Sequence, residues 1–375
     1  MKILIAPDKF KGSLSSQEVT DSIKEGILSV MPNCQTDNVF VADGGDGTME
    51  AIVKSLSGKW IYTNVHNPLG KVIPVRYGIV NGNTAVLDVA TASGISLIRN
   101  SDRNPFITST VGTGEIILDA LNKGVRNFLI GLGGSATNDA ATGILSVLGY
   151  KFLNKGGNVL IPNGGALNDI ADVDVSGADE RLKDSSFTLF CDVSADFCGR
   201  RGAAYLFAPQ KGASYEDVLI LDEGLENFAN VLLGKYGKDI RFEPFAGAAG
   251  GIGGTLYTVL NAELTQGIEG VLDIVDFDNK LIGADIIITG EGALDKTSLL
   301  GKAPFGVCRR ALAKGVKTIA LAGRIEDKQI LLDSGFYSVH SVVPDDMPLE
   351  EAMLPNIAKG NIKRTASEVI RLLSK

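Results

Sequence analysis

Acidic and basic side chains stand together where one apolar segment of the sequence ends. The stretch IITGEGALDKTSLLGKAP runs from Ile287 to Pro304 and holds Glu291, Asp295 and Lys302 after its apolar start. A turn needs only one or two glycines from such a stretch. Two carboxylates with a nearby lysine can also serve a bound anion, through a metal ion or by accepting a hydroxyl proton. The first alternative makes these side chains a helix cap and a solvated charge, and the second makes them catalytic residues.

A second pair of carboxylates follows the apolar segment NVFVA, in the sequence ADGGDGT. Asp43 and Asp46 flank two glycines there. Proteins commonly hold Mg²⁺ with one or two carboxylates, together with waters and phosphate oxygens. We therefore name Asp43 and Asp46 as candidate Mg²⁺ ligands. The alternative is a tight turn, because Asp-Gly pairs favour turns.

Two glycine-rich segments have the spacing of nucleotide-binding loops. GEGALDKT has phosphate-loop spacing, but Asp295 replaces the glycine that lets such a loop wrap a phosphate, so it is not a P-loop. GLGGSATND fits the dinucleotide fingerprint, yet no acidic residue follows about 20 residues later to hold a ribose. Its backbone N–H groups and polar side chains still suit an anion. The candidate anion-binding residues in this loop are Gly133, Gly134, Ser135 and Asn138.

Further candidates for substrate or phosphate binding come from three other segments. APDKFKGS follows the first apolar run, and ligands commonly bind at the carboxyl end of such a strand. CDVSADFCGRRGAAYLFAPQKGA offers an acid and several cations, and GAAGGIGG precedes a helical pattern. Taken singly, each has a structural alternative, such as a solvated turn or close helix packing. The binding candidates are Asp8, Lys9, Lys11, Arg201, Lys211, Gly250 and Gly251, and Asp192 is a further catalytic candidate.

Composition argues against several classes of partner. The 375 residues carry a net charge of −8 without any basic run, so we expect no nucleic-acid partner. We expect no membrane partner either, because no apolar segment has the length of a membrane span. The four cysteines lack zinc spacing and indicate reduced thiols in a cytoplasmic protein. Because there are only two histidines, we expect any general base to be a carboxylate, a lysine or a water.

The elements that position these residues alternate along the chain. Apolar strand, glycine loop and amphipathic helix repeat, which predicts an α/β protein with a mostly parallel sheet. SQEVTDSIKEGILSV predicts a helix with Ser15 or Ser16 as its cap. The region from KWIYTNV to NTAVLDVATASG instead holds strands joined by hairpin connections, which predicts antiparallel pairing. We expect a discontinuous Rossmann- or flavodoxin-like domain of residues 1–60 and 283–375, an inserted mixed-sheet α/β domain of residues 61–282, and an active site in the cleft between them.

The loops taken together indicate phosphoryl transfer. A protein of net charge −8 needs local positive potential to bind an anion, and the lysines, arginines and glycine amides of these loops supply it. Catalysis of phosphoryl transfer consists mostly of positioning and charge neutralisation by such groups and Mg²⁺. It requires neither a histidine nor a cysteine.

Six segments occur in an order that is typical of one family: IAPDKFKGSLSS, ADGGDGT, GLGGSATND, APQKGA, GAAGGIGG, and ITGEG with the LD and GKAP that follow it. With these segments the chain resembles the bacterial type I group of the glycerate kinase family over nearly its whole length. The resemblance implies ATP-dependent phosphorylation of D-glycerate, with 2-phosphoglycerate as the expected product. It also implies two α/β domains, one inserted in the other. A homodimer is left open.

The chain departs from the family pattern at a few positions near the candidate site. Ala293 stands where arginine is usual and Thr297 where glutamine is usual, while Arg200 replaces a proline and Asp46 a glutamate. The usual cation of the opening stretch is therefore absent, and another is added elsewhere. A kinase for a related hydroxy acid is for this reason one alternative function.

Roles for the opening stretch follow from the resemblance and the residue types together. We predict that Glu291 or Asp295 orients Mg²⁺ or accepts the hydroxyl proton of the substrate. Lys302 would contact a phosphate or the substrate carboxylate. Two further alternatives stay open: an NAD-dependent oxidoreductase, suggested by GLGGSA, and a non-catalytic ligand-binding protein.

Overall fold

The structure, a computed structural model, describes residues 1–45 and 47–373. The chain divides into two compact units. Unit 1 holds Met1–Asp43 and Ile268–Lys375, and unit 2 holds Gly44–Gly267. The domain boundaries and the site position expected from the sequence stay predictions.

Short strands and helices alternate through the part of the chain that the structure describes. Its strands are β1 (Lys2–Ile5), β2 (Gln35–Asn38), β3 (Lys59–His66), β4 (Val72–Val80), β5 (Thr84–Asp88), β6 (Asn127–Gly131), β7 (Lys151–Leu153), β8 (Asp172–Asp174), β9 (Ser186–Cys191), β10 (Glu263–Gln266), β11 (Ile286–Leu294), β12 (Lys317–Ile325) and β13 (Ser338–Ser341). Its α-helices are α1 (Ser16–Val30), α2 (Thr48–Ser55), α3 (Ala90–Ser93), α4 (Val111–Asn122), α5 (Thr142–Val147), α6 (Ala203–Phe207), α7 (Tyr215–Tyr236), α8 (Ala248–Val259), α9 (Gly267–Ile274), α10 (Phe277–Lys280), α11 (Ala303–Ala313), α12 (Lys328–Asp333), α13 (Leu349–Ala352) and α14 (Pro355–Leu373). Short 3₁₀ helices span Ile95–Leu97, Asn100–Asp102, Gly164–Asp169, Glu180–Asp184, Pro209–Lys211 and Lys296–Leu300.

Unit 1 is built on a parallel sheet. Its strand order is β13-β12-β11-β1-β2, and every neighbouring pair is parallel. Helices α1 and α14 cover one face, where Ile3, Ile288 and Leu321 are buried. Helices α11 and α12 cover the other, where Ala320 and Val339 are buried. Burial on both faces explains the apolar runs in the central strands β1, β11 and β12.

Helix α1 shows how the sequence sets a local boundary. Ser15 caps it, accepting from the backbone N–H of Glu18, while the Glu18 carboxylate accepts in return from the Ser15 N–H at 3.0 Å. Val19, Ile23 and Ile27 recur at helical spacing and are fully buried. The cap predicted from the sequence is confirmed.

The strand expected in NVFVA differs from the one observed. The strand β2 ends at Asn38, because β1 ends at Ile5 and pairs with Asn38 in the last register position. Val39 adds one more backbone bond, from its N–H to the Ile5 carbonyl at 2.9 Å. The following residues, up to Ala42, are buried without being a strand.

Unit 2 contains a mixed sheet. Strands β10, β9, β6 and β5 are parallel in that order, and β4 and β3 continue the sheet in antiparallel pairing. The hairpins expected for this region are confirmed, and so is the fold class: a parallel-sheet α/β unit with a mixed-sheet α/β unit inserted in its sequence. Within the described residues we find no helix of the length and apolar character that a membrane crossing requires.

Candidate functional site

Three carboxylates form a group in unit 1, and we call Asp8, Asp43 and Glu291 the carboxylate cluster. Asp8 follows β1, and Glu291 lies in β11. Because these two strands pair in parallel, both carboxylates lie near the same edge of the sheet. The Ala6 N–H donates to the Ile288 carbonyl and the Asp8 N–H to the Gly290 carbonyl, both at 2.8 Å. The pairing thus continues past the end of β1 and places Asp8 beside the end segment of β11.

Burial and repulsion by neighbouring carboxylates raise the pKa values of Asp8 and Glu291. Asp8 is 9% exposed, and burial, followed by the negative charge of Asp43, raises its pKa to about 7. The Lys9 backbone N–H donates to Asp8 at 2.6 Å and opposes that shift. Burial also raises the pKa of Glu291, against the nearby Lys302 ammonium. Asp8 and Glu291 are buried acids, and the negative charge of Asp43 acts on both. A cation at this position would relieve that repulsion.

Glu291 is held by two donors from the segment that follows β11. The Ser298 hydroxyl donates to its Oε1 at 2.9 Å, and Lys302 Nζ lies 3.4 Å from the same oxygen. Lys302 keeps 35% of its side chain exposed and stands at the N-cap of α11. A partly exposed ammonium beside a buried carboxylate can still contact a second anion.

Asp295 acts locally as a helix cap. Its Oδ1 accepts from the Thr297 N–H at 2.7 Å, the Thr297 hydroxyl at 2.5 Å and the Ser298 N–H at 3.2 Å. These hydrogen bonds lower the pKa of Asp295, and the bond from the Thr297 hydroxyl contributes most. Capping thus accounts for its place in the sequence, and its predicted catalytic role stays a prediction.

The carboxylate cluster suits a hard divalent cation. Among residues 1–45 and 47–373, no three His, Cys, Asp or Glu side chains form a ready-made ion site. Mg²⁺ does not need three, because it takes one or two carboxylates and completes its shell with water and phosphate oxygens. The oxygen donors of Asp8, Asp43 and Glu291 therefore fit Mg²⁺. Asp46, the other predicted ligand, lies outside the described residues.

A second set of polar side chains lies in unit 2, where β5, β6 and β9 end at the same edge. Asp88, the last residue of β5, is 3% exposed. Its carboxylate accepts from the Gly47 and Met49 N–H groups, each at 3.0 Å, and so fixes the start of α2. Sequence reasoning missed Asp88, although an acid that ends the apolar run TAVLD was a usable signal.

Lys211 is enclosed in unit 2 and bonds to the loop after β6. Its side chain is 2% exposed. Its Nζ donates to the Ser135 hydroxyl oxygen at 3.0 Å and to the Thr137 carbonyl at 2.7 Å. Burial lowers the pKa of Lys211 to about 7, and the charge of Asp139 opposes that shift. These bonds thus join the segments GLGGSATND and APQKGA, which the sequence analysis treated as separate candidates.

The next residues of this loop are fully buried. Asp139 Oδ2 accepts from the Thr110 N–H and hydroxyl, both at 2.8 Å, and from the Gly143 N–H at 3.2 Å in the first turn of α5. Both amide atoms of Asn138 and the Thr137 hydroxyl lack a hydrogen-bond partner among the described residues. Buried polar atoms without partners are costly and uncommon. Ser135, Thr137, Asn138, Asp139 and Lys211 are called the buried polar cluster below.

Backbone strain accompanies the buried polar cluster. Ala140 and Ala141 have φ values of 48° and 60°. Helix α8 is kinked at its start, where Ala249, Gly250 and Gly251 also have positive φ. A Cβ at Gly250 would overlap the Thr137 carbonyl oxygen and lie 2.8 Å from the Asn138 Cα. Strained backbone of this kind persists where the surroundings hold it, and it is frequent at functional sites.

The remaining candidates lie on more exposed parts of the two units. In unit 1, Lys9 is partly exposed and Lys11 exposed. In unit 2, Asp192 follows β9 and is exposed, and Arg201 is 81% exposed and pairs with Asp196 at 3.0 Å. Their predicted roles, and those of the exposed or partly exposed Gly133 and Gly134, stay predictions.

Comparison with models of known protein families identifies the family of this chain. The model of the Glycerate kinase family matches residues 3–374. The chain belongs to the glycerate kinase family. This membership confirms the resemblance found in the sequence, and it favours phosphoryl transfer over the nicotinamide and non-catalytic alternatives.

Relatives match over nearly the whole chain. The glycerate kinase of Bacillus subtilis (strain 168) is 41% identical over 371 residues, covering 98% of this chain and 97% of that protein. The glycerate 2-kinase of Escherichia coli (strain K12) is 39% identical over 376 residues, covering 100% of this chain and 98% of that protein. A crystal structure from Salmonella typhimurium LT2, provisionally named glycerate kinase 2, matches with a TM-score of 0.89 and 36% identity, covering 100% of this chain and 98% of that one.

Proposed function

We propose that this chain transfers the γ-phosphoryl group of ATP to a hydroxyl of D-glycerate and forms 2-phosphoglycerate. One observation carries the proposal: in a member of the glycerate kinase family, buried Glu291 is bonded to Lys302 and shares its surroundings with the charges of Asp8 and Asp43. Phosphoryl transfer depends on such charge compensation more than on covalent chemistry.

One or two carboxylates of the cluster formed by Asp8, Asp43 and Glu291 would hold Mg²⁺ in this proposal, with Asp46 as the further ligand expected from the sequence. When bound, Mg²⁺ neutralises charge on the phosphate oxygens of ATP. Ser298 keeps Glu291 in place by donating to its Oε1. The cluster therefore supplies the anionic oxygen ligands that the metal ion of a metal-bound nucleotide requires.

Cations of unit 1 would act on the transferred group. Lys302 is partly exposed beside Glu291, and Lys9 and Lys11 follow β1. Their ammonium groups would compensate the charge that develops on the phosphoryl oxygens. Glu291 and Asp295 remain the candidate acceptors of the hydroxyl proton, and Asp192 in unit 2 remains a further catalytic candidate.

The loop after β6 in unit 2 would bind an anionic part of a substrate. It offers Gly133, Gly134 and the Ser135 hydroxyl, and Asn138 follows in the same loop. Glycine amides with hydroxyl donors at a strand end form anion sites in many α/β proteins. Gly250, Gly251, Lys211 and Arg201 are included in this part of the proposal. A cytoplasmic location also belongs to it, since the four cysteines are buried, unpaired thiols, as is usual in a reducing compartment.

The test is ADP release from ATP and Mg²⁺ on addition of D-glycerate, with L-glycerate and D-lactate as comparison substrates. The proposal expects turnover with D-glycerate, and phosphorus NMR should identify 2-phosphoglycerate as the product. Preferred turnover with D-lactate would point to a kinase for a related hydroxy acid, in line with Ala293 and Arg200. Absence of turnover with all three acids would contradict the proposal.

A further inference from the structure

Lys211 is placed to act on a neighbour rather than on a ligand. Its side chain is 2% exposed, and its ammonium donates to the Ser135 oxygen and the Thr137 carbonyl. Within the described residues it forms no direct ion pair with a carboxylate, and Asp139 influences it only through its charge. Enclosure of this kind leaves little surface for direct contact with a substrate.

The bond between Lys211 and Ser135 fixes what the serine can do. An ammonium group has three donors and no acceptor, and a hydroxyl has one donor and two acceptor sites. While Lys211 is protonated, the Ser135 oxygen must therefore accept from it, and the hydrogen of the serine must go to a different acceptor. The bond occupies one acceptor site of the Ser135 oxygen and directs the hydroxyl hydrogen away from Lys211.

The position of Ser135 indicates where that hydrogen goes. Ser135 directly follows Gly133 and Gly134, which are the partly exposed and exposed residues of this loop. Asn138, further along the same loop, is fully buried, and neither its amide oxygen nor its nitrogen has a partner among the described residues. A hydroxyl hydrogen directed away from Lys211, in a loop with exposed glycines and unsatisfied polar atoms, matches an anionic oxygen as the missing acceptor.

Stability gives no reason for a lysine at this position. A buried ammonium bonded only to neutral oxygens loses more hydration than two such bonds return. Methionine has a similar shape, carries no charge and fills irregular interior space. The presence of a lysine is therefore better explained by its effect on Ser135 than by packing.

We propose that Lys211 is a positioning residue: by donating to the Ser135 hydroxyl oxygen, it turns that hydroxyl into a donor toward an anionic oxygen of a substrate. The oxygen belongs to a carboxylate or to a phosphate. This inference rests on the proposed function for the identity of the two substrates, D-glycerate and ATP.

A double-mutant cycle tests the coupling. Ser135→Ala, Lys211→Met and the double variant are compared with the wild type by isothermal titration calorimetry, with D-glycerate, ATP and inorganic phosphate as separate probes. Each single change should weaken binding of the same probe by about tenfold to a hundredfold, the usual effect of losing a hydrogen bond to a charged group. The double variant should bind the probe no more weakly than the single variant with the lower affinity, because both changes remove the same bond.

Kinetics and a matched control separate this role from a structural one. The two single variants should raise KM for the substrate that carries the anion, with kcat changed by less than about threefold. Weaker D-glycerate binding would assign the anion to the carboxylate, and weaker ATP binding to a phosphate. Lys280→Met removes a partly buried lysine of unit 1 that neighbours Asp276 and Asp37, and it should change neither KM. Lys211→Met should melt at or above the wild-type temperature.

Several results would overturn the inference. One is additivity, in which the loss of binding free energy in the double variant equals the sum of the two single losses. Others are weaker binding in only one single variant, and unchanged binding in both. The last is failure of the wild type to bind any probe. Failure of the proposed function looks different, since the wild type would then bind a probe and release no ADP with D-glycerate. The binding cycle would still decide the role of Lys211 in that case.

Discussion

The two units place polar side chains at the ends of parallel strands, but they arrange charge in opposite ways. In unit 1, Asp8 and Glu291 are buried acids, and a cation, Lys302, stands half-exposed beside one of them. In unit 2 the enclosed charge includes a cation, Lys211, whose bonded partners are the neutral oxygens of Ser135 and Thr137. The first arrangement attracts a cation, and the second orients donors toward an anion.

This difference indicates a division of roles in the proposed reaction. Carboxylates that repel one another suit a bound Mg²⁺, and such an ion neutralises charge on the phosphoryl group. A rigid loop, tied down by Asp139 and by the kinked start of α8, suits recognition of a group that does not change during the reaction. We therefore expect changes in unit 1 to affect kcat and changes in unit 2 to affect binding and stability.

The largest expected effect is that of Glu291→Gln. The amide keeps the shape of the side chain, but it removes the charge that faces Lys302 and the proposed Mg²⁺. We expect kcat to fall roughly a thousandfold, within the range for loss of one catalytic group. ADP release at saturating D-glycerate and ATP measures it.

The matched control is Glu25→Gln, which breaks an exposed ion pair with Lys363 in the same unit. It should leave kcat unchanged. A Glu291→Gln enzyme with wild-type kcat would remove the carboxylate cluster from the transfer step and contradict the division of roles between the two units.

The next effect concerns the close contact between α8 and the buried polar cluster. Gly250 and Gly315 have φ values of 75° and 73°, but a Cβ would overlap a carbonyl oxygen only at Gly250, and nothing lies within 4 Å of it at Gly315. Gly315→Ala should lower the free energy of unfolding by about 1 kcal/mol, from backbone strain alone. Gly250→Ala should lower it by about 3 kcal/mol, because overlap adds to the strain.

Urea denaturation of both alanine variants measures this difference. Because the backbone strain is the same, the difference between them isolates the packing of α8 against Thr137. Equal losses would mean that the loop after β6 yields easily and is not the rigid part of the molecule.

The last expected effect is a dependence of stability on pH, which is spread over several pH units. The pKa of Lys211 is about 7 in the folded chain and 10.5 when unperturbed, so between these values the unfolded chain binds more protons. The cost of burying the charge is thus complete below pH 7 and is relieved as the pH rises. Between pH 7 and 10 the wild type should gain about 1.4 kcal/mol of unfolding free energy per pH unit relative to Lys211→Met. A difference that does not change with pH would show that Lys211 keeps its ordinary pKa.

Sequence reasoning succeeded where the signal is local. The cap at Ser15, the parallel strands that end in glycine loops and the hairpins of β3–β5 follow from residue types a few positions apart. The capping role of Asp295 could also be predicted in this way, since Ser298 lies three residues later. Its hydroxyl oxygen accepts from the Asp295 N–H at 3.2 Å.

The candidate site was less predictable because its bonds join distant segments. Lys211 meets Ser135 from 76 positions away, and Asp88 fixes the start of α2 from 41 positions away. Each bond depends on the packing of a whole sheet, which no short pattern encodes. The sequence could name Lys211 and Ser135 as candidates, but it gave no indication that Lys211 is buried and donates to the Ser135 hydroxyl oxygen.

The division of roles is tested most directly by one measurement: ADP release as a function of D-glycerate and ATP for Glu291→Gln and Ser135→Ala, side by side. We predict that Glu291→Gln loses kcat with KM nearly unchanged, and that Ser135→Ala raises one KM with kcat nearly unchanged. Loss of the same kinetic parameter in both variants would contradict the account.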